Sequence, residues 1–84
     1  MGRYELILRR VLTGTNDSNI AFRDLCTLVS ALGFTLRTNG SHHIFFMESI
    51  PEILNLQPKR GKAKPYQVKQ VRTVIVRYKL AERP

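Results

Sequence analysis

The sequence predicts an α+β fold: a three-stranded antiparallel sheet with helices packed on one face, plus an extra N-terminal helix. Three observations carry this expectation. Apolar residues step by three and four in segments near both ends, they alternate in the block between, and a glycine turn interrupts that block. At 84 residues the chain has room for one hydrophobic core, so residues 1–84 are expected to form a single domain, with 1–18 as N-terminal helix and linker and 19–80 as an αβββα core. Hydrophobic residues make up 43% of the chain, enough for a core of only marginal stability.

The elements follow in order. Tyr4, Leu6, Ile7, Leu8, Val11 and Leu12 are spaced as a helical stripe, which places a helix over residues 3–12, ending at Thr13-Gly14 where glycine suits the left-handed position. Residues 15–19 form a polar linker of turn and capping residues. From Ile20 or Phe22 to Leu32, the positions Phe22, Leu25, Leu28, Val29 and Leu32 line one face of a second helix, stopped by Gly33. Phe34, Leu36 and Thr38 then alternate with Thr35 and Arg37 as a first strand. Asn39-Gly40 reads as a type I′ hairpin turn, and His42 to Met47 as the return strand. Residues 48–52 are expected to be a loop, and 53–57 a third strand with Leu54 and Leu56 facing one way. Residues 58–64 read as a solvated basic loop. Pro65 suits the first position of a last helix, in which Val68, Val71, Ile75 and Tyr78 keep helical spacing to about Leu80. The helix–strand–strand–strand–helix order from Phe22 onward is the one found in double-stranded-RNA-binding domains, a likeness of fold and not of activity.

Charge is the strongest pointer to a partner. Fourteen Lys+Arg against six Asp+Glu give a net charge of +8 and a pI near 10.4, which attracts polyanions and speeds their association. Nucleic acid, an acidic protein and an anionic membrane all satisfy that charge. The membrane fits least, because the cations do not gather on the polar face of one strongly amphipathic helix and no apolar stretch approaches the ~18 residues of a span. Cys26 has no partner for an internal disulfide and sits among Leu25, Leu28 and Val29 as a buried, inert thiol. With no disulfide framework and no signal peptide, a reducing, cytoplasmic location is expected.

Chemistry centres on Gly40-Ser41-His42-His43-Ile44-Phe45-Phe46. Imidazole, with an ordinary pKa of ~6.5, takes or gives a proton near neutrality, and a histidine just past a tight turn is firmly held yet open to substrate. Strand alternation sends His42 and His43 to opposite faces, so they do not act as a pair. His42 is the candidate catalyst, set against the plainer alternative of a hydrogen-bonded or surface strand histidine. The cations Lys59, Arg60, Lys62 and Lys64, four in six positions, continue into Lys69 and Arg72 on the last helix and are candidate phosphate contacts, as opposed to an ordinary solvated charge run. Arg37 extends the patch toward the turn, whose Gly40 and Ser41 complete the candidate RNA-binding set. Tyr66 is read as helix packing before base stacking. The six carboxylates Glu5, Asp17, Asp24, Glu48, Glu52 and Glu82 are scattered, one cysteine gives no zinc set, and no phosphate-loop or dinucleotide signature occurs. No metal and no cofactor are expected.

Three stretches together resemble the HicA family of toxin messenger-RNA interferases: the helix ending in Leu32-Gly33-Phe34, the Gly40-Ser41-His42-His43-Ile44-Phe45 hairpin, and Leu54-Asn55-Leu56-Gln57-Pro58 through Gly61-Lys62-Ala63-Lys64-Pro65-Tyr66-Gln67-Val68-Lys69-Gln70-Val71. The likeness covers roughly residues 19–80, and the N-terminal helix goes beyond the family pattern. The resemblance implies a metal-independent endoribonuclease acting on messenger RNA on a double-stranded-RNA-binding-like fold, the toxin of a type II toxin–antitoxin pair, with a HicB-type antitoxin as partner. It also implies that the catalytic histidine is the one following Gly-Ser, here His42, with His43 at a common but less decisive position. The alternative expectation is a non-catalytic double-stranded-RNA-binding or ribosome-associated module. A third, a basic protein that only docks an acidic partner, accounts for the charge alone.

Overall fold

The computed structural model describes residues 2–82. Three α-helices accompany a three-stranded antiparallel sheet of order β1-β2-β3. The helices are α1 (Arg3–Thr13), α2 (Phe22–Ala31) and α3 (Pro65–Arg77). The sheet is built from β1 (Thr35–Asn39), β2 (His42–Met47) and β3 (Ile50–Leu56). A second, two-stranded ribbon follows, of β4 (Pro58–Lys59) and β5 (Lys62–Ala63). Single 3-10 turns lie at Asp17–Asn19 and Leu80–Glu82. No helix among the described residues is long and apolar enough to cross a membrane.

The helical stripes do what their spacing predicts. Ile7 and Val11 of α1, Phe22, Leu25, Leu28 and Val29 of α2, and Val68, Val71, Val74 and Ile75 of α3 are all buried, and they meet Phe45, Leu54 and Leu56 from the inner face of the sheet. Alternation sends His42, Ile44 and Phe46 to the opposite, outer face, together with Ile53 and Asn55 of β3. Ile53 is 58% exposed there.

Three boundaries differ from the sequence expectation. The β1–β2 turn consists of Gly40 and Ser41, because Asn39 already pairs with His42. Gly40 has φ 62°, and no positive φ occurs at Asn39 or Ser41, the pattern of a type II′ turn in which glycine takes the first central position. Second, β3 begins at Ile50, three residues earlier than its alternation suggests, and the pairing register shifts between Phe45 and Met47. Pro51 is tolerated because β3 is an edge strand, where a missing N–H need not break a ladder. Third, the expected loop at 58–64 folds into the β4–β5 ribbon. Its turn residues Arg60 and Gly61 have φ 53° and 79°, the double positive φ of a type I′ turn.

That ribbon is stitched to the start of α2. Ala63 N donates to the Ile20 carbonyl at 2.9 Å, and Phe22 N to the Gly61 carbonyl at 3.0 Å. The second bond satisfies one of the N–H groups that a helix start leaves unpaired.

Candidate functional site

The site grows from the β1–β2 turn and the end of β3. Leu56 pairs with His43 across the sheet, so the next residue, Gln57, comes level with His42 and within reach of the turn, where its Nε2 donates to Ser41 Oγ at 2.9 Å. The β4–β5 ribbon, with its run of cations, begins one residue later at Pro58. The turn bearing His42 and the basic ribbon are therefore joined through Gln57.

His42 is exposed on the outer face. Its Nδ1 lies 2.9 Å from Asn55 Oδ1. An amide oxygen only accepts, so this contact is a hydrogen bond in the tautomer that carries its hydrogen on Nδ1. His43 faces the other way and is half-buried, with its ring edge-on to Phe22 at 4.9 Å between centroids and its Nδ1 3.2 Å from the Ser41 carbonyl. The two histidines thus occupy different environments: one in solvent beside a polar strand edge, the other packed where α2 begins.

Behind Gln57 stands Gln67 of α3, 1% exposed and the one polar residue in the buried set. Its Oε1 accepts from Gln57 N at 3.3 Å and its Nε2 donates to the Tyr66 hydroxyl at 3.3 Å. A buried amide with both ends engaged fixes its neighbours, since leaving either end empty costs about 1–3 kcal/mol. Tyr66 itself is 63% exposed and does not fill the core.

The cations divide into two groups. Lys59, Arg60, Lys62 and Lys64 line one depression together with Ser18, Ala63 and Pro65, and no carboxylate contributes to its wall. Lys62 Nζ also donates to Asn19 Oδ1 at 3.0 Å. Arg72, by contrast, is engaged inside the fold: its two terminal nitrogens meet both carboxylate oxygens of Asp17, and one of them also reaches the Val11 carbonyl. Its side chain is only 22% exposed. Lys69, exposed on α3 three residues before Arg72, lies close enough to Asp17 to help lower its pKa. Arg37 lies on the outer face with its guanidinium 5.5 Å from the Phe46 ring centroid. Gly40 and Ser41 form the exposed tip of the turn.

Sequence reading picked out the Gly-Ser-His turn and the basic run. It did not single out Asn55, Gln57 or Gln67, which hold the turn in place. Only the alternation of Leu54 and Leu56 carried a usable signal, since it turns Asn55 outward beside His42. Among the described residues, Asp17, Asp24 and Glu52 are each ion-paired to an arginine, Arg72, Arg3 and Arg77 respectively. Burial pushes the Cys26 thiol up to about 11, which keeps it protonated.

In chemical terms the arrangement offers one exposed imidazole with a free Nε2, one hydroxyl with a free hydrogen, and a cationic depression on the adjoining ribbon. Comparison with family profiles, with curated proteins and with solved structures gave no match for this chain.

Proposed function

We propose that this protein is a metal-independent endoribonuclease that cleaves messenger RNA, the toxin of a type II toxin–antitoxin pair of HicA type on a double-stranded-RNA-binding-like fold. The observation that carries the reading is His42, exposed just past a tight turn and bonded through Nδ1 to Asn55, with Ser41 beside it and the basic ribbon one residue beyond Gln57. Nε2 of His42 takes the proton of a ribose 2′-hydroxyl as that oxygen attacks the adjacent phosphorus. The bond from phosphorus to the 5′ oxygen breaks, leaving a 2′,3′-cyclic phosphate on one fragment, and the departing 5′ oxygen takes a proton from solvent. One positioned base contributes ~10²–10⁴-fold. Lys59, Arg60, Lys62 and Lys64 hold flanking phosphates, with Lys69 and Arg37 as further candidate phosphate contacts. Arg72 is assigned a structural part, because its charge is paired with Asp17 and three of its five N–H donors are engaged by Asp17 and Val11.

An acidic antitoxin of HicB type is the partner this reading requires, and a net charge of +8 favours its fast association. A non-catalytic RNA-binding module draws equal support from the charge and from the α2-β1-β2-β3-α3 order. Induced expression in a bacterial host separates the two. Growth arrest with fragmented messenger RNA, absent from cells making His42→Ala, supports the nuclease. Intact RNA bound by both proteins supports the binding module.

A further inference from the structure

Two neutral side chains at the edge of β3 bear on the direction in which protons move at the turn. Asn55 projects to the outer face of β3, and Gln57 is the first residue past the end of that strand. Asn55 Oδ1 contacts His42 Nδ1 at 2.9 Å, and Gln57 Nε2 contacts Ser41 Oγ at 2.9 Å. Each engages one member of the Ser-His pair, and the two contacts have opposite polarity: Asn55 accepts, Gln57 donates.

We propose that Asn55 and Gln57 are positioning residues, Asn55 holding His42 in the tautomer whose Nε2 is unprotonated and Gln57 turning the Ser41 hydroxyl into a hydrogen donor toward a phosphate oxygen. The proposal rests on the reading of this site as an RNA-cleaving one and names which group acts as base and which as donor.

A neutral imidazole in water favours the hydrogen on Nε2, which leaves that nitrogen without a lone pair and unable to accept a proton. An acceptor fixed beside Nδ1 reverses the preference. The Ser41 hydroxyl has one hydrogen and two lone pairs. With a lone pair occupied by Gln57, the hydrogen is left for a non-bridging phosphate oxygen, where charge grows as the 2′ oxygen attacks. The backbone of Gln57 is anchored, because its main-chain N–H donates to the buried Gln67 Oε1, while Gln67 Nε2 donates to the Tyr66 hydroxyl. The orienting chain therefore starts in the core between α3 and β3.

Imidazole nitrogen-15 shifts read this directly, in the full-length protein with its histidines neutral, alongside steady-state cleavage of a short RNA. The wild type is expected to show His42 as the Nδ1–H tautomer. Asn55→Leu should move it to Nε2–H and lower kcat roughly tenfold with little change in KM, as part of the contribution of a positioned base is lost. Asn55→Asp, which still accepts from Nδ1, should keep the wild-type tautomer. Gln57→Leu should lower kcat and leave the tautomer of His42 alone. An Nε2–H tautomer in the wild type, or an Asn55→Leu protein indistinguishable from it in both readouts, overturns the proposal. His42→Ala separates the two layers: full cleavage by that variant sinks the nuclease reading itself, whereas its inactivity beside a fully active Asn55→Leu sinks only the positioning role. Thermal melts confirm that the variants, at exposed Asn55 and half-buried Gln57, stay folded.

Discussion

Arg72 grips Asp17 with two parallel bonds of 2.9 and 3.0 Å and, through the same Nη1, caps the Val11 carbonyl near the end of α1 at 2.9 Å. One guanidinium thus ties α3 to the 3-10 turn and to the last turn of α1, whose carbonyls lack helical partners.

Arg72→Ala removes all three bonds and leaves a mostly covered carboxylate without its cation. We expect a loss of about 1–2 kcal/mol of stability, between the values for exposed pairs and for buried ones, measured by urea unfolding. The Arg72 hydrogen bonds hold the Asp17 carboxyl below its usual range. A depressed folded-state pKa gives stability that is present above the unfolded value of ~3.9 and is lost as pH falls through the lower folded value. Wild type should therefore lose part of its advantage over Arg72→Ala on acidification through that window, and parallel Tm curves from neutral to strongly acidic pH would contradict the assignment.

Gly14 sits at the C-terminal cap of α1 with φ 73°. A Cβ there would meet Arg72 Nη1 at 3.1 Å and Cζ at 3.2 Å, and that guanidinium is not free to retreat. Gly14→Ala should cost about 1–2 kcal/mol, from the left-handed backbone and the crowding together. In an Arg72→Ala background the crowding part should vanish, which a double-mutant cycle measures.

Arg60 holds φ 53° in the β4–β5 turn, a region that costs a side-chain-bearing residue about 1–2 kcal/mol and that asparagine tolerates better. Arg60→Asn should stabilise the fold by up to about 1 kcal/mol while weakening RNA binding. The slope of log Kd against log salt should shrink by about 0.7 for a single strand. An unchanged slope would remove Arg60 from the phosphate contacts.

Cys26 is half-buried with its pKa raised to about 11 by burial. Its thiolate fraction is roughly a hundredfold below that of an ordinary thiol. Alkylation by iodoacetamide should be slower in the native protein than in urea by a comparable factor.

What could be read from the sequence was whatever repeats with a period. The stripes of α1, α2 and α3 gave those helices to within a few residues, because burial of one face is encoded in every turn of a helix. Strand alternation placed Leu54 and Leu56 inside. Non-periodic features were missed: Pro51 disguised the start of β3, Asn39-Gly40 resembled a type I′ turn one residue away from the real one, and the two-residue strands β4 and β5 are too short to show alternation at all. At the site, Gly40-Ser41-His42 was visible as turn chemistry plus an imidazole. Asn55, Gln57 and Gln67 were not, because an uncharged polar residue acquires its role only from a neighbour brought to it by the fold. Arg72 shows the same point from the other side: among the cations of the sequence nothing marks it out, and only the fold brings it to Asp17, 55 residues away in the chain.

The most direct measurement of the central claim compares purified wild type with His42→Ala on a single-stranded messenger-RNA fragment in the presence of EDTA, following both cleavage and binding. Cleavage by wild type that falls by two orders of magnitude or more in the variant, roughly the contribution of one positioned base, with RNA affinity retained, is the predicted result. Equal cleavage by the two proteins, or none by either despite tight binding, contradicts it.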